Sequence, residues 1–334
     1  MGTYVFLTTS IARVGGAQLY LARKSNYLAE NGWNVIIVHY LPGNVIIEFN
    51  ANIKTILINE LKYSPQIYSL RRIQKSLELI FPTIKTKKLV IESHLLHLAK
   101  WGEIMAKSYS GINITYLLNE QIKLTESWDY SFLKFKLDQG LLFGITPVSL
   151  KTIFRNLPGD APYLKAIGCS SNNVEDIPNR VMDHFSKSDW TILSIGRLEK
   201  NYIIPTFQEI VNFALKYKEK EIDVIVVGGA YKKENHDNAI ELLSNAPNIK
   251  VYDIGYVWPI PFSCFVKADV AIASSGSVLL SESVGLPTIV IDANDYKPIG
   301  VYKQTTNNFI FREKNEKPIN LVVVLEETLL NKRF

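Results

Sequence analysis

The chain has 334 residues, of which 47% are hydrophobic and 21% are charged, and its formal net charge is +5. This length suits two domains of ordinary size, and the composition excludes a disordered chain. With two cysteines, Cys169 and Cys264, the sequence shows no disulfide framework and no metal-binding spacing, so a reducing cytoplasmic compartment is expected. No apolar run approaches the roughly 18 residues that a membrane-spanning helix needs.

Short apolar segments alternate with helical patterns along the first half of the chain. The segment from Met1 to Ser10 has no basic stretch before its apolar residues, and it is interpreted as a first strand and not as a signal peptide. Strands are predicted at 4–9, 35–40, 54–59, 89–91, 112–118 and 145–148, and helices at 17–31, from Ser64-Pro65 onward and at 96–107. The second helix has a predicted apolar stripe of Leu70, Ile73, Leu77 and Ile80.

The composition changes between residues 157 and 189, where proline, glycine and a Ser-Ser-Asn-Asn run break any regular pattern. A second alternating series then begins at Trp190. Its strands are predicted at 191–195, 224–227, 250–252, 270–273 and 288–291, and its helices at 205–218, 235–244, 261–267 and 278–284. Alternating strands and helices favour parallel, doubly wound sheets. The predicted fold is therefore α/β, with two Rossmann-like domains facing a cleft, at 1–160 and 190–334, and a linker region at 161–189.

Positive charge is concentrated in residues 61–90. This segment contains one acid, Glu78, and the basic residues Lys62, Arg71, Arg72, Lys75, Lys85, Lys87 and Lys88. Such a patch suits anionic lipid headgroups or a phosphorylated partner, and the alternative is a solvated helix face followed by a lysine-rich turn. The patch lacks the interleaved aromatic residues of a stacking platform, which argues against nucleic-acid binding.

Two glycine pairs follow predicted strands. Gly15-Gly16 lies between the first strand and its helix, and Gly228-Gly229 follows the strand at 224–227. A backbone without side chains can approach a ligand closely and offer free N–H groups, although a simple tight turn explains each pair as well. Gly15-Gly16 is not the full dinucleotide-binding pattern Gly-x-Gly-x-x-Gly.

Two cations, Arg197 and Lys200, come directly after the strand at 191–195, within the segment Gly196-Arg197-Leu198-Glu199-Lys200. Side chains at the carboxyl end of a strand point toward the ligand crevice of an open α/β sheet. There the two cations can neutralise a leaving diphosphate. The alternative is a solvated loop in which Glu199 balances the positive charges.

A strand, a small-residue turn and a helix with one carboxylate, Glu282, lie near the end of the chain. Backbone amides around Ser277, Val278 and Leu279 at the start of the helix can meet phosphate oxygens. A carboxylate further along the same helix can accept both hydroxyls of a ribose. The arrangement predicts a nucleoside diphosphate site without a metal, and the alternative for Glu282 is a solvent-facing residue on a half-exposed helix.

Two histidines, His94 and His97, follow the strand ending at Ile91, a position where packed histidines are more common than catalytic ones. The sequence shows no zinc spacing of Cys, His and Asp, and no Gly-x-Ser-x-Gly nucleophile elbow.

Taken in order, these motifs resemble those of the GT-B glycosyltransferases, in particular the large retaining family that uses nucleotide sugars (group 1, family 4). The matching segments are Gly15-Gly16-Ala17-Gln18, Gly196-Arg197-Leu198-Glu199-Lys200, Val227-Gly228-Gly229, Ile254-Gly255-Tyr256-Val257 and Ala268-Asp269 through Glu282-Ser283-Val284-Gly285-Leu286-Pro287. The match covers residues 190–291 as a set and little of the first domain beyond the glycine pair.

This resemblance implies an acceptor-binding N-terminal domain and a C-terminal domain that binds a nucleotide sugar. It implies that Arg197 and Lys200 contact the donor diphosphate as the catalytic residues and that Glu282 binds the ribose. Donor binding by Gly15, Gly16, Gly229 and the amides of Ser277, Val278 and Leu279 is implied too. Retention of the anomeric configuration follows from the resemblance alone.

Three departures from the family pattern concern the sugar end of the site. Eight residues before Glu282, where the family has an acid, stands Ser274. At the family's histidine position the strand at 112–118 ends in Asn119-Glu120, so Asn119, Glu120 and His94 are the candidates for contact with the sugar. The spacing between Arg197 and Lys200 is also shorter than usual.

The resulting hypothesis is a cytoplasmic, metal-independent hexosyltransferase that needs no cofactor besides its nucleotide-sugar substrate. The expected acceptor is a hydroxyl of a glycan or lipid-linked saccharide in bacterial-type surface polysaccharide synthesis. A peripheral contact with anionic membrane at the inner face of the cell membrane, through residues 62–88, is expected as well. The alternatives are a non-catalytic GT-B homologue that serves as the partner of a true transferase, and a nucleotide-sugar epimerase, for which no convincing acid/base pair is found.

Overall fold

The computed structural model describes residues 2–11, 15–42, 49, 52–80, 82, 88–118, 127–154, 165–167, 173–230, 232–313 and 315–330. The chain divides into two compact units, Met1–Ser170 and Ser171–Phe334. Each unit contains a mainly or wholly parallel sheet with helices packed on both faces, as expected for Rossmann-like domains.

The first unit alternates strands and helices as the sequence pattern predicts. In chain order its elements are β1 (Thr3–Thr8), α1 (Gly16–Glu30), β2 (Asn34–His39), β3 (Lys54–Leu57), α2 (Leu70–Glu78), β4 (Leu89–Ser93), α3 (Leu96–Tyr109), β5 (Ile112–Leu117), α4 (Ser127–Asp138), β6 (Leu142–Gly144), α5 (Pro147–Ile153) and β7 (Lys165–Ala166). The described strands pair in the order β3-β2-β1-β4-β5-β6-β7, and each neighbouring pair is parallel.

The inner strands β1, β2 and β4 are buried on both faces because helices cover both sides of the sheet. Val5 and Leu7 of β1 pack in the cluster formed with α2 and α3, whereas Tyr4 and Phe6 pack in the cluster that includes Leu21 of α1. Side chains on both faces of β1 are therefore buried, as expected for a strand that lies between β2 and β4 inside the sheet.

The second unit begins with a short strand and helix and then repeats the alternating pattern. Its elements are β8 (Val174–Glu175), α6 (Arg180–Asp183), β9 (Trp190–Ile195), α7 (Ile203–Lys216), β10 (Ile222–Val227), α8 (Lys233–Leu243), β11 (Ile249–Gly255), β12 (Ile260–Pro261), α9 (Ser263–Val266), β13 (Val270–Ala273), α10 (Gly276–Ser283), β14 (Thr288–Ile291), β15 (Pro298–Val301) and α11 (Leu321–Leu329). The main sheet has the order β11-β10-β9-β13-β14-β15, in which only the β14–β15 pair is antiparallel among the described strands.

Residues 173–189, which the sequence pattern assigns to the linker region, contain regular structure that packs on the second unit. β8 pairs with β12, and Met182 of α6 is buried in the same apolar cluster as Leu193 and Ile225 of the main sheet.

Three local predictions are wrong. The predicted strand at 145–148 is instead the start of α5, because Thr146 caps that helix: the Ser149 amide donates to the Thr146 hydroxyl at 3.1 Å, and Pro147 occupies the first turn. The predicted helix start at Ser64-Pro65 yields one 3₁₀ turn, and α2 begins after Ser69. The predicted helix at 261–267 is shorter, since Pro261 belongs to β12.

The apolar stripe of α2 is also narrower than predicted. Ile73, Leu77 and Ile80 are buried, but the side chain of Leu70 is 85% exposed. Leu70 therefore lies on the surface beside the basic residues of this helix.

Candidate functional site

The chain order of the second unit's sheet reverses between β9 and β13. From β9 the chain runs through α7 to β10, on one side, and from β13 it runs through α10 to β14, on the other. The two strands are parallel neighbours, with Ala273 opposite Ile195 at their carboxyl ends. Ligands of open α/β sheets bind outside the carboxyl ends of the strands at such a reversal. The loop after β9 and the start of α10 therefore flank the expected ligand position.

The loop after β9 is held against the end of β10 by backbone contacts. The Gly196 amide donates to the carbonyl of Val227 at 3.0 Å, and the Leu198 amide donates to that of Gly229 at 2.9 Å. A Cβ atom on Gly228 would lie 1.8 Å from the carbonyl oxygen of Gly196, so glycine is required at that position. Gly229 is the residue predicted from the sequence to contact the donor, whereas Gly228 has the closer backbone contact.

Arg197 forms an ion pair with Glu199, with 3.3 Å between Nη1 and Oε1. Both carboxylate oxygens of Glu199 are buried. Neither accepts a hydrogen bond within the described part of the chain, so the contact with Arg197 is an ion pair without a hydrogen bond. The ion pair nonetheless places a negative group beside Arg197. Because the side chain of Arg197 remains 37% exposed, the guanidinium is held near the loop surface, where an anion can reach it.

Lys200 lies in the same loop, three residues before α7 begins. Its amide donates to the carbonyl of Arg197 at 3.1 Å, and its Nζ lies 5.7 Å from the ring centroid of Tyr202. Burial raises the pKa of Tyr202 above its ordinary value, and the nearby charge of Arg197 opposes this shift. Arg197 and Lys200 thus lie on one short turn after β9, and their contact with a diphosphate stays a prediction.

The turn before α10 has an unusual backbone conformation. Ser275, the N-cap residue, has φ 65° and ψ −140°, a region in which non-glycine residues are strained, and its side chain makes no capping hydrogen bond. The Ser275 amide donates to the carbonyl of Phe309 at 2.7 Å, and the Val278 amide donates to the carbonyl of Ser275 at 3.0 Å.

These contacts narrow the set of amides that α10 can offer to an anion. Val278 already has an acceptor, and Leu279 occupies the first position at which the helix itself supplies one. Within the described residues, the amides of Gly276 and Ser277 remain at the positive end of the helix dipole. Among the described residues, the amides of Gly276 and Ser277 are therefore better placed than those of Val278 and Leu279 to meet an anion, and the predicted phosphate contact itself stays a prediction.

Glu282 lies on the same helix, and its side chain is 35% exposed. Its Oε1 accepts a hydrogen bond from Nζ of Lys303 at 2.6 Å. Ser274, at the position where the resembling family has an acid, is 3% exposed. Glu282 was predicted from the sequence but Lys303 was not, because 20 intervening positions separate the two residues along the chain and no local pattern links them.

The first unit has its own reversal of strand order, between β1 and β4. Gly15 and Gly16 lie beyond the carboxyl end of β1, where Gly15 is the N-cap of α1 and Gly16 its first residue. The φ of Gly15 is −170°, an extended conformation open to any residue, so backbone conformation alone does not demand glycine there. The position at the start of a helix is the one predicted for donor phosphate contact.

His94, at the end of β4, is buried and bonded through both ring nitrogens. Nε2 lies 3.1 Å from Oε1 of Glu92, and Nδ1 lies 3.2 Å from the hydroxyl of Thr8. The residue is 2% exposed, so His94 lies inside the first unit and not at its surface. Its predicted contact with a sugar stays a prediction that this geometry does not favour.

Glu92 is the centre of a buried polar cluster that was not predicted from the sequence. Its carboxylate accepts hydrogen bonds from Tyr4 at 2.5 Å, Tyr20 at 2.9 Å and Lys24 at 2.5 Å, as well as the contact from His94. Burial would raise the pKa of Glu92, but His94 and Lys24 outweigh burial and lower it to about 2. The ionised carboxylate ties α1 to β1 and β4. The one signal in the sequence that could have indicated this cluster is Glu92 itself, an acid within the largely apolar strand Leu89–Ser93.

His97 lies on α3, near the ring of Tyr40, with 5.7 Å between the centroids. Burial and the charge of Lys100 lower the pKa of His97 to about 4. The imidazole is therefore neutral at physiological pH, and it is separate from the polar cluster around Glu92.

Some of the predicted residues lie outside the described part of the chain. These are Asn119 and Glu120 of the predicted sugar end, and Lys85 and Lys87 of the basic region. Within the described part, Arg71, Arg72 and Lys75 are exposed on α2, and Arg72 pairs with Glu60 at 3.2 Å. Ile67, in the 3₁₀ turn before α2, is 65% exposed, and Leu70, the first residue of α2, is 85% exposed, so two large apolar side chains are exposed in the same segment as these cations.

Neither a metal cluster nor a membrane-spanning helix is found among the described residues. No group of three or more His, Cys, Asp or Glu side chains is arranged to hold a metal ion there. None of the described helices is long and apolar enough to cross a membrane.

Solved structures of similar fold provide the comparison. Anabaena HepE in complex with UDP and glucose is 13% identical with a TM-score of 0.62, covering 100% of this chain and 91% of HepE. A mutant of S. aureus TarM, in complex with fondaparinux, α-GlcNAc-glycerol and UDP, is 9% identical with a TM-score of 0.61 over 99% of this chain and 92% of TarM. Sucrose-phosphate synthase from Thermosynechococcus elongatus is 12% identical with a TM-score of 0.60 over 88% and 82%.

No family model matches the chain, and no curated protein matches its sequence. Likeness at 9–13% identity shows the fold, and it agrees with the two Rossmann-like units described above. The chain therefore has the GT-B fold, as the sequence predicted.

Proposed function

We propose that this chain is a glycosyltransferase that moves a sugar from a nucleoside diphosphate sugar to an acceptor hydroxyl. One observation carries the proposal. Arg197 and Lys200, the amides of Gly276 and Ser277, and the carboxylate of Glu282 all lie in the two segments that follow β9 and β13, at the reversal of strand order. Cations and amides suit a diphosphate, and the carboxylate suits the two hydroxyls of a ribose. UDP in the HepE and TarM structures supports a nucleotide of this class.

In the proposed reaction the bond between the anomeric carbon and the diphosphate oxygen breaks, and a bond from the acceptor oxygen to that carbon forms. The nucleoside diphosphate leaves with the bonding electron pair, and its departing oxygen takes up the proton that the acceptor hydroxyl loses. Stabilisation of this negative leaving group dominates the barrier. Arg197, Lys200 and the helix-start amides supply positive charge at that position, so we propose that the transfer proceeds without a metal ion.

The finer properties of the proposed reaction rest on the family resemblance. We propose a hexosyl donor, retention of configuration, and an acceptor that is a glycan or lipid-linked saccharide of a bacterial-type surface polysaccharide. A double displacement through a glycosyl-enzyme is not part of the proposal, because Glu282 is assigned to the ribose and Glu199 is paired with Arg197.

A thermal-shift panel with UDP, GDP, TDP and ADP tests the nucleotide site, because a ligand that binds the folded state raises its melting temperature. Turnover is then measured with sugar conjugates of the nucleotide that binds, as release of the free nucleoside diphosphate. A chain that binds none of the four nucleotides contradicts the proposal.

A non-catalytic GT-B homologue remains the second candidate function, and Ser274 is the observation that favours it. The residue is 3% exposed and carries a hydroxyl where the resembling family has an acid. Nucleotide binding without sugar transfer and without donor hydrolysis, across a panel of sugar conjugates, would establish the second candidate.

We also propose that the α2 surface, defined by Ile67, Leu70, Arg71, Arg72 and Lys75, contacts an anionic membrane. Exposed apolar side chains beside cations are typical of a surface that inserts shallowly among lipid headgroups. Flotation with vesicles of phosphatidylcholine, with and without phosphatidylglycerol, tests this contact at low salt. Binding only to the anionic vesicles is expected from the wild type.

Matched charge-reversal variants distinguish the effect of the α2 surface on vesicle binding from the effect of net charge. Arg71→Glu with Lys75→Glu should abolish flotation, whereas Lys218→Glu with Lys317→Glu, at exposed positions of the second unit, should retain much more of it. Equal flotation of the two double variants would remove the α2 surface from the proposal.

A further inference from the structure

The segment 301–309 contacts both ends of α10. Near the start of the helix, the carbonyl of Phe309 accepts the Ser275 amide at 2.7 Å. At the end of its second turn, Nζ of Lys303 donates to Oε1 of Glu282 at 2.6 Å. The same segment thus touches the residue that precedes the helix-start amides and the carboxylate proposed to bind ribose.

Hydrogen bonds fix the turn that carries Lys303. The Lys303 amide donates to the carbonyl of Thr306 at 2.7 Å, and the Thr305 amide donates to that of Val301 at 2.9 Å. The Thr305 hydroxyl accepts the Val301 amide at 2.8 Å, and Lys303 itself has a left-handed φ of 61°. A turn with this many internal bonds presents the lysine side chain from a set position, so the contact with Glu282 is built into the local backbone.

A second layer anchors the turn to the rest of the unit. The Thr306 hydroxyl donates to the carboxylate of Glu316 at 2.7 Å, and the Tyr302 amide donates to the carbonyl of Thr288 in β14 at 2.9 Å. Because β14 directly follows α10 in the chain, the turn and the helix are held to the same part of the sheet.

The ion pair itself lies at the surface. The side chains of Lys303 and Glu282 are 56% and 35% exposed, and the hydrogen bond to Glu282 raises the pKa of Lys303. The ammonium is therefore charged at neutral pH. Exposed pairs of this kind are weak and open readily, so another ligand of the carboxylate can displace the lysine.

We propose that Lys303 is a competing cation that occupies Glu282 in the empty site and leaves it when a ribonucleotide binds. The inference rests on the proposed function, in which Glu282 accepts the ribose hydroxyls. Two hydroxyls engage both carboxylate oxygens, and the ammonium 2.6 Å from Oε1 occupies one of them and neutralises the charge that makes the carboxylate a good acceptor. Lys303 thus lowers nucleotide affinity and sets a preference for ligands whose hydroxyls can replace it.

Titration calorimetry of Lys303→Met tests the inference with UDP, GDP, TDP and ADP as probes. The variant should bind the preferred nucleotide about two- to fivefold more tightly than the wild type, the range set by an exposed ion pair. The gain should shrink as the sodium chloride concentration rises from about 50 to about 500 mM, since salt already weakens the pair in the wild type. Lys317→Met is the control, because this exposed lysine makes the same change of charge outside the pair.

A second probe isolates the ribose. The 2′,3′-dideoxy form of the preferred nucleoside diphosphate lacks the hydroxyls that would replace Lys303, so Lys303→Met should give no gain with it. Weaker binding of the ribonucleotide by Lys303→Met would mean that Lys303 contacts the donor directly, and unchanged binding would mean that it does not compete; either result overturns the inference.

The same measurements distinguish a failure of the proposed function from a failure of the inference about Lys303. If the wild type, Lys303→Met and Lys317→Met all bind none of the four nucleotides, the proposed function falls and the inference falls with it. If the wild type binds and Glu282→Gln binds equally well, the ribose contact is wrong while the diphosphate site stands.

Discussion

A Cβ atom on Gly228 would lie 1.8 Å from the carbonyl oxygen of Gly196, so these two glycines bring the ends of β10 and β9 into direct backbone contact. Gly228 also has φ 156°, outside the range that L side chains readily adopt. The contact determines the path of the loop that carries Arg197 and Lys200.

Gly228→Ala should therefore disturb both the fold and the site. We expect a loss of at least about 2 kcal/mol in the free energy of unfolding, since neither backbone segment can move without breaking sheet hydrogen bonds. Urea unfolding measures this loss, and nucleotide affinity should fall with it.

Gly255→Ala is the matched control for that change. Gly255 has φ 71°, but a Cβ there meets nothing within 4 Å among the described residues, so only backbone strain of about 1–2 kcal/mol is expected. An effect of Gly228→Ala no larger than that of Gly255→Ala would contradict the steric argument.

Arg197→Ala and Lys200→Ala should each lower the turnover number by about 10²–10³-fold, because each removes a positively charged side chain that stabilises the leaving diphosphate. The double variant should lose less than the product of the two effects, since both cations act on one group. Lys317→Ala, far along the chain in an exposed segment, should keep wild-type turnover. Steady-state release of nucleoside diphosphate measures all four variants, and full turnover by the double variant would end the assignment.

Apolar periodicity was sufficient to predict two alternating α/β units, whereas the expectation of a GT-B fold came from the motif resemblance. Strands such as Thr3–Thr8 and Ile222–Val227 are buried along their whole length, and continuous apolar runs separated by amphipathic helices are typical of parallel sheets. The error at 145–148 arose because apolar residues were weighed above a competing local signal, the Thr146 cap with Pro147.

The proposed site could be read from the sequence only where its residues lie in contiguous motifs. Arg197 and Lys200 follow one strand, and Ser277 and Glu282 share one helix, so local spacing was enough. Lys303 reaches Glu282 through a turn in a separate segment, and the clash at Gly228 depends on pairing with another strand. Contacts of that kind arise from tertiary packing, which a single sequence does not display.

The buried carboxylate of Glu92 should make stability depend on pH. Its pKa falls from an ordinary value of 4.5 to about 2 in the folded chain, because His94 and Lys24 favour the ionised form despite burial. A lowered folded-state pKa stabilises the fold above pH 4.5, and that stabilisation is lost as the pH falls from 4.5 toward 2. At about pH 7, the free energy of unfolding of Glu92→Gln should therefore be about 3 kcal/mol lower than that of the wild type.

The difference between Glu92→Gln and wild type should shrink in urea titrations as the pH is lowered through this window. Glu219→Gln, at an exposed position, should show little difference at any pH. A constant gap between Glu92→Gln and the wild type from about pH 7 to about pH 3 would show that packing, and not the charge of Glu92, accounts for the loss.

Ser275 is the position at which the structure predicts a gain in stability. Its φ of 65° and ψ of −140° suit glycine, and its side chain makes no capping hydrogen bond that the substitution would remove. Ser275→Gly should therefore raise the free energy of unfolding by about 1 kcal/mol, whereas Ser275→Ala keeps the strain and should not. Because the strained turn orients the amides of Gly276 and Ser277, relief of strain should also loosen them, and nucleotide affinity should fall in Ser275→Gly even as its melting temperature rises. If Ser275→Gly gains stability and keeps its full nucleotide affinity, the strain at Ser275 is not needed for anion binding and this prediction is wrong.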